Sequence, residues 1–437
     1  MLQTMFSVFK CGTAALLFFT LSLFEALGQD VRLKLNRPEG IYSKGDTVRV
    51  YGLCHDARGP LDMEIRVDGI THESRSISLD ASSYKEIYTE VCDSAKWVAL
   101  IVKTSDNKAI DIGYLVNPET FKPGYRTPGN LRRYWNKEIS RMRKEPMTVK
   151  IDSVQSPAKY IGQVTCWHVE LSMHQGFPVN AYVSIPIGAR AASLPIRIQT
   201  HGATEITEIR TQSILKTACR TALQGTIGVD INAHGMKDGA SPEYYRELED
   251  GLLKDYSDQD LKDRESWYFR LMYLRLVRLV DYLVTLPQWD GRNIMVAGHS
   301  QGGGQALALG AIDSRITHVY ADEPALSDHG GILLGRCSGW PFSTRRQNVP
   351  STKLARKILP YFDGAILAGM YHGKLYLRAG LVDYICPPTA VWSVYNNAGT
   401  ADKTITSFRS RHHTNVVWYD KEEFDALSEG FPKIEWY

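Results

Sequence analysis

The run Asn293-Ile294-Met295-Val296-Ala297 leads straight into Gly298-His299-Ser300-Gln301-Gly302-Gly303, and Gly304-Gln305-Ala306-Leu307-Ala308-Leu309-Gly310-Ala311 follows with the composition of a helix. No other segment constrains the fold as much. Strand, Gly-x-Ser-x-Gly and helix in that order make a nucleophile elbow, a turn so tight that the serine hydroxyl stands above the sheet edge within reach of a base. Small residues at 298 and 302–304 let the helix start close to the strand. The Gln301 N–H can then point at a developing oxyanion. Such an elbow needs a sheet of parallel strands around it, and it implies a serine hydrolase.

The surrounding sequence supplies that sheet. A basic amphipathic helix is predicted over 130–144, β-like segments over 164–171 and 179–185, and an apolar strand over 196–200 that runs into His201-Gly202. A helix over 213–223, a strand over 226–231, a long helix over 267–285 and strands over 316–320 and 374–377 complete an α/β alternation: a mostly parallel sheet with helices on both faces. In the long helix Tyr273, Leu276, Val277, Val280, Leu283 and Val284 share a face that Arg270, Arg275 and Asp281 lie off.

Ahead of this part, residues 29–117 alternate and turn often. Val31-Arg32-Leu33-Lys34-Leu35, Thr47-Val48-Arg49-Val50-Tyr51, Met63-Glu64-Ile65-Arg66-Val67 and Trp97-Val98-Ala99-Leu100-Ile101-Val102 read as strands parted by turns such as Ser43-Lys44-Gly45-Asp46 and Asp68-Gly69. Short strands at that spacing predict an amino-terminal all-β sandwich of immunoglobulin-like size. Residues 118–129 are punctuated by Pro and Gly and read as a linker, which leaves 130–437 as the catalytic domain.

The first 28 residues read as a signal peptide: Lys10, an apolar core from Ala14 to Leu23, then Ala26-Leu27-Gly28 at the cleavage positions. The core is too short for a membrane anchor and is broken by Glu25, so the mature protein is expected to be exported, periplasmic or extracellular, with no membrane span. A net charge of +3 over 437 residues offers no basic footprint for nucleic acid. The partner expected instead is small and neutral or an uncharged polymer. Six cysteines remain after processing, none in a Cys-x-x-Cys pair, which speaks against zinc or thioredoxin-like chemistry. Cys54 with Cys92 is the candidate disulfide, and buried free thiols are the alternative.

A serine hydroxyl becomes a nucleophile only when a histidine takes its proton, and a carboxylate must orient that histidine. In chain order the acid follows the serine and the histidine comes last. Asp383 closes a loop after a strand, in Gly380-Leu381-Val382-Asp383-Tyr384-Ile385-Cys386-Pro387-Pro388; Asp322 and Glu323, after Val319-Tyr320, are the weaker candidates. His412 and His413 are the only histidines beyond the acid, in the loop after Thr404-Ile405-Thr406-Ser407-Phe408, and His413 is preferred as base. Two adjacent histidines could also serve a metal, but no carboxylate or cysteine lies at ligand spacing. The second oxyanion donor is expected in Thr200-His201-Gly202-Ala203-Thr204, from the Ala203 N–H. His201 is read as orienting that loop, His299 as a packing residue, and His372 as structural.

These motifs resemble the acetyl xylan esterase and cephalosporin C deacetylase family of α/β-hydrolases. The likeness runs roughly from Trp135 to Asn415 and rests on Gly298–Gly303 with its Gln after the serine, on Gly380–Pro388, and on His201-Gly202. The resemblance implies the α/β-hydrolase fold, Ser300 as nucleophile, Asp383 as acid, and Ala203 and Gln301 as oxyanion donors, with no cofactor. The chain departs from the family pattern at Ala233-His234-Gly235-Met236, at His413-Thr414, and in its added sandwich, which leaves the oligomeric state open. The expected activity is release of acetyl groups from an acetylated oligo- or polysaccharide. Alternatives are an esterase for another acyl group such as feruloyl, a peptidase of the same fold, or a non-catalytic glycan-binding protein on a hydrolase scaffold. Since every residue assigned to chemistry follows the linker, a chain starting near Pro128 is expected to fold and turn over a small ester by itself.

Overall fold

A computed structural model describes residues 30–413 apart from 57, 107, 174, 204–212, 259–260 and 344–346. The leader and its cleavage site, Thr204, and Thr414 onward lie outside the described residues.

The amino-terminal part is a sandwich of β1 (Asp30–Leu35), β2 (Ile41–Tyr42), β3 (Thr47–His55), β4 (Leu61–Val67), β5 (Ile70–Ile77), β6 (Lys85–Val91), β7 (Lys96–Lys103) and β8 (Ala109–Val116). Among the described residues one sheet runs β1-β3-β6 and the other β2-β8-β7-β4-β5. The inward residues of both, including Val48, Val50, Met63, Ile65, Val98, Leu100 and Tyr114, form one core. β5 and β6 alternate little and are largely exposed, which is why their polar sequences give a faint strand signal.

The second part is built on one sheet of β9 (Val149–Val154), β10 (Val164–Leu171), β11 (Val179–Pro186), β12 (Leu194–Thr200), β13 (Ile227–Ile231), β14 (Trp289–His299), β15 (His318–Asp322), β16 (Lys374–Gly380) and β17 (Lys403–Phe408). Its order is β17-β16-β15-β14-β12-β13-β11-β10-β9. Strands β9 to β11 and the β11–β13 pair are antiparallel, while β12 to β17 are parallel. The helices are α1 (Leu131–Lys144), α2 (Leu215–Ala222), α3 (Pro242–Asp250), α4 (Tyr268–Leu283), α5 (Gln301–Ile312), the short α6 (Ala355–Ile358) and α7 (Gly364–Leu367), and α8 (Pro388–Asn397). The chain steps one way from β12 to β13 and the other way from β14 through β17. Right-handed crossovers therefore place α2 on one face and α5 on the other. This is the α/β-hydrolase architecture with an amino-terminal β domain.

Helix α4 is buried almost all round, not on one face alone. Arg270 and Arg275 are covered because they have buried partners: Arg270 Nη1 donates to Glu138 Oε2 at 2.7 Å and Arg275 Nη2 to the Ala233 carbonyl at 3.3 Å. Pairing makes burial of a charge tolerable, and a hydrophobic period cannot register partners that lie outside the helix, 132 positions away for Arg270 and 42 for Arg275.

Cys54 and Cys92 are separate buried thiols. The Cys92 N–H bonds the Asp46 carbonyl, eight positions from Cys54 along β3, so the two are roughly 26 Å apart at strand rise, against a limit near 7 Å for a disulfide. The thiols that meet are Cys166 and Cys219, at 3.3 Å.

Residues 118–129 are packed down. Phe121 and Tyr125 are buried, the Gly124 N–H donates to Asp328 Oδ1 at 2.7 Å, and Asn396 Nδ2 donates to the carbonyls of Pro118 and Phe121. The two parts of the chain also share a core of Trp97, Ala99, Leu115, Phe121, Leu381 and Val382. Trp97 Nε1 donates to the Leu381 carbonyl at 2.7 Å and the Gly113 N–H to the Arg409 carbonyl at 2.7 Å. A Cβ at Gly113 would overlap the Leu381 carbonyl, so only glycine allows that approach. The sandwich thus packs against the loops that follow β16 and β17: sequence position separates the two parts, but a shared core joins them.

Candidate active site

Strand β12 has β14 on one side and β13 on the other, so the chain's direction across the sheet reverses there. In open α/β sheets the crevice at the carboxyl ends of such strands is where ligands bind. Thr200 ends β12 and His299 ends β14, so the loop from His201 and the residue Ser300 stand on the two lips of that crevice.

Ser300 has φ 56° and ψ −124°, a conformation rare for a residue with a side chain and held only where its surroundings over-determine it. Its N–H donates to the Asp322 carbonyl at 2.9 Å, and its own carbonyl accepts from Gly304 and Ala325 N–H, both at 3.0 Å. Thr200 Oγ1 lies 3.0 Å from the Ala297 carbonyl and 2.8 Å from that of Gly302, tying β12 to both sides of the turn. A Cβ at Gly302 would sit 2.7 Å from the Thr200 carbonyl, so the elbow closes only around glycine.

His413, in the loop after β17, meets Ser300 on one side and Asp383 on the other. Its Nε2 is 2.8 Å from Ser300 Oγ and its Nδ1 2.8 Å from Asp383 Oδ2. Asp383 is fully buried, and its Oδ1 accepts from the N–H groups of Ile385 and Cys386 at 2.8 and 2.9 Å. Two backbone donors on one oxygen leave the other aimed at the imidazole. Burial works against the imidazolium of His413, while the neighbouring Cys386 sulfur and Asp383 carboxylate work for it, and the balance is upward. Of those two, Asp383 carries the argument: burial pushes the Cys386 thiol up to about 11, so it is neutral at pH 7.

His412 points elsewhere, with Nε2 3.3 Å from Asp111 Oδ2 on β8 of the sandwich. Adjacent side chains in an extended segment diverge, and here they diverge between the two parts of the protein. On the opposite lip, a Cβ at Gly202 would lie 3.6 Å from Ser300 Cβ, so the loop carrying Ala203 passes close to the serine. His201 Nε2 is 2.7 Å from Asp230 Oδ1, and Gln305 Nε2 donates to the His201 carbonyl at 3.1 Å, so His201 helps to hold that loop. The Gln301 side chain is buried and accepts from Tyr256 Oη at 2.6 Å. What Gln301 can offer the crevice is its backbone N–H, at the first position of α5. His372 is away from the crevice, its Nδ1 2.9 Å from the Gly399 carbonyl.

Asp322 and Glu323 are buried and paired. Asp322 Oδ2 accepts from Arg411 Nη2 at 2.8 Å. Glu323 has one oxygen 3.0 Å from Arg411 Nε and the other 3.2 Å from His299 Nε2 and 3.7 Å from His413 Nδ1. His299 is therefore more than packing: it bonds Glu323, and its ring centre lies 4.9 Å from that of His413. Burial raises the Glu323 carboxyl most; the His299 hydrogen bond opposes this, Asp383 and Asp322 add to it, Arg411 opposes it, and the result is about 7. The donor atoms of His299, Glu323 and His413, and of Asp383, Cys386 and His413, come within 4.8 Å of one another. Both ring nitrogens of His413 are engaged by Ser300 and Asp383, and this relay is the better account of the cluster. Sequence reasoning gave Glu323 no place beside Asp383, although two acids at the end of an apolar strand were its signal; Asp111 carried no signal, lying in another part of the chain.

The fold is that of an α/β-hydrolase, and its relatives place the chain among the carboxylic ester hydrolases. The chain belongs to the acetyl xylan esterase family, since residues 109–429 match the family described as Acetyl xylan esterase (AXE1). It is 27% identical over 323 residues to the acetyl esterase Axe7A of Xylanibacter ruminicola, covering 72% of this chain and 71% of that protein. Among solved structures it is similar to an acetyl xylan esterase from Paenibacillus sp. R4, with a TM-score of 0.60 and 20% identity over 72% of this chain and 98% of that one. It is also similar to acetyl xylan esterase 1 from Thermoanaerobacterium sp. JW/SL YS485, with a TM-score of 0.57 and 19% identity over 72% and 96%. These two structural likenesses are likenesses of fold.

Proposed function

We propose that the protein is an exported serine esterase that removes acetyl groups from carbohydrate, an acetylated xylan or its oligosaccharides being the favoured substrate. The observation that carries the mechanism is the unbroken line Ser300 Oγ–His413 Nε2 and His413 Nδ1–Asp383 Oδ2, with both distances 2.8 Å. Ser300 attacks the acetyl carbonyl as His413 takes its proton, and Asp383 holds the tautomer and balances the imidazolium. The N–H groups of Gln301 and Ala203 receive the oxyanion. The sugar hydroxyl departs with the proton from His413, and water releases acetate from Ser300 by the same route in reverse. Export is supported by the leader pattern of Lys10, the apolar core and Ala26-Leu27-Gly28. The test is labelling with a serine-directed fluorophosphonate together with acetate release from acetylated xylan, mannan and pectin. The reading requires that the full chain be labelled and active and that Ser300→Ala be neither. Residual turnover above about a thousandth of wild type would point to another nucleophile, because loss of a triad nucleophile costs on the order of 10⁶ in kcat.

A further inference from the structure

We propose that Glu323 is a second positioning carboxylate for His413, sharing its Nδ1 proton with Asp383 and able to replace that acid in part; the inference rests on the triad reading above. Strand β15 lies between β14, which ends at the serine, and β16, which precedes Asp383. Its carboxyl end therefore faces the same imidazole from the gap between nucleophile and acid. Glu323 Oε2 is 3.7 Å from His413 Nδ1, while Asp383 Oδ2 is at 2.8 Å. A side-chain rotation of about one ångström would bring it to hydrogen-bond distance.

The backbone holds Glu323 in that position. It stands at φ +43°, its N–H donates to the Arg378 carbonyl at 3.0 Å, and the residue before it accepts the Ser300 N–H. Non-glycine residues in this region of backbone space are uncommon and concentrate at functional sites. A role limited to balancing Arg411 does not account for the arrangement, because Asp322 already accepts from Arg411 at 2.8 Å. The carboxylate oxygen that Arg411 leaves free is the one turned to both histidines. Facing Glu323 are His299 from β14, Asp383 from the loop after β16, His413 and Arg411 from the loop after β17, and Asp322 beside it. Arg378 of β16 approaches Asp322 at 4.0 Å.

The experiment measures kcat/KM for a small acetate ester in the full chain and in Asp383→Ala, Glu323→Gln, Asp383→Ala/Glu323→Gln, Glu323→Asp and Ser300→Ala, from pH 5 to 9. Loss of the acid from a triad without a substitute costs on the order of 10⁴. We expect Asp383→Ala to lose only about 10²-fold and the double variant to reach the full 10⁴. In Asp383→Ala both His413 and Glu323 must lose a proton, so the acid limb of log kcat/KM against pH should steepen toward a slope of two and return to one in the double variant. A purely structural Glu323 would not move that slope. The slope in Asp383→Ala needs no change at 323, so the test survives poor folding of Glu323→Gln. Glu323→Asp keeps the charge opposite Arg411 while withdrawing it from His413, and in the Asp383→Ala background it should behave as Glu323→Gln does. A slope of one in Asp383→Ala, with activity no higher than the double variant, overturns the proposal while an inactive Ser300→Ala leaves the triad standing. An active Ser300→Ala overturns both.

Discussion

Removing the sandwich should disable the esterase. A chain beginning at Pro128 retains Ser300, Asp383 and His413 but uncovers Leu381 and Val382, both fully buried beside Trp97 and Leu115. Exposing two such side chains forfeits about 3–6 kcal/mol. The hydrogen bonds Trp97 Nε1 to Leu381 O and Gly113 N to Arg409 O contribute about 1 kcal/mol each. A loss of roughly 5–8 kcal/mol is comparable to the whole stability of a domain, about 5–15 kcal/mol. The damage also falls on the two loops that present Asp383 and His413, where a displacement of about 1 Å can cost about 10²-fold in rate. Hydrolysis of a chromogenic acetate ester and thermal unfolding measure both consequences. We expect the truncated chain to be insoluble, or soluble with kcat/KM at least a hundredfold down and a lower melting temperature. A soluble, cooperatively folded truncation with wild-type kcat/KM would refute the reasoning. A milder perturbation, Trp97→Phe, keeps an aromatic ring, though a smaller one than the indole, and leaves the buried Leu381 carbonyl without its donor, which by itself is an expected loss of about 1–3 kcal/mol.

Three further outcomes are expected. His413→Ala should lose on the order of 10⁴ in kcat or more, whereas His412→Ala, which removes a partly exposed imidazole paired with the buried Asp111 away from Ser300, should stay within about tenfold; equal severe losses in the two kinetic assays would contradict the assignment. Butyryl esters should react about ten- to a hundredfold more slowly than acetyl esters of the same alcohol, because two methylenes forced into a pocket shaped for a methyl cost about 1–3 kcal/mol; equal rates would exclude a small acyl pocket. His329 is fully buried against Phe342, and burial lowers it from 6.5 to about 3. Between those values the unfolded chain holds a proton at this residue that the folded one does not, so its contribution is present above about pH 6.5 and is lost as pH falls. His329→Phe lacks that loss, and the difference in unfolding free energy between variant and wild type should shift in the variant's favour by on the order of 3 kcal/mol from pH 6.5 to 4.5. A pH-independent difference in urea midpoints would contradict this.

Much of the architecture is written locally. The apolar runs that became β12 to β16, the glycines of the elbow, and the loop from Gly380 to Pro388 after β16 are contiguous in sequence, and short-range sterics and hydrophobic period suffice to read them. Ser300 and Asp383 stand out for that reason, each in a loop directly after a strand. What contiguous pattern cannot carry is the choice between neighbours and the pairing of distant segments. His412 and His413 are equivalent in composition; only the packing of the loop after β17 between two parts of the chain turns one toward Asp111 and the other toward Ser300. Glu323 reads as a weaker candidate for the acid and His299 as a packing residue; only the parallel registry of β14 with β15 sets them side by side. The same holds for the sandwich, which turns and alternation identified as β structure but whose shared core with Leu381 and Val382 depends on residues nearly three hundred positions apart. Local sequence determined the elements and the order of the reactive residues. Tertiary structure decided which of those residues meet, because burial and hydrogen-bond distance are properties of surfaces brought together and not of the segments that bear them.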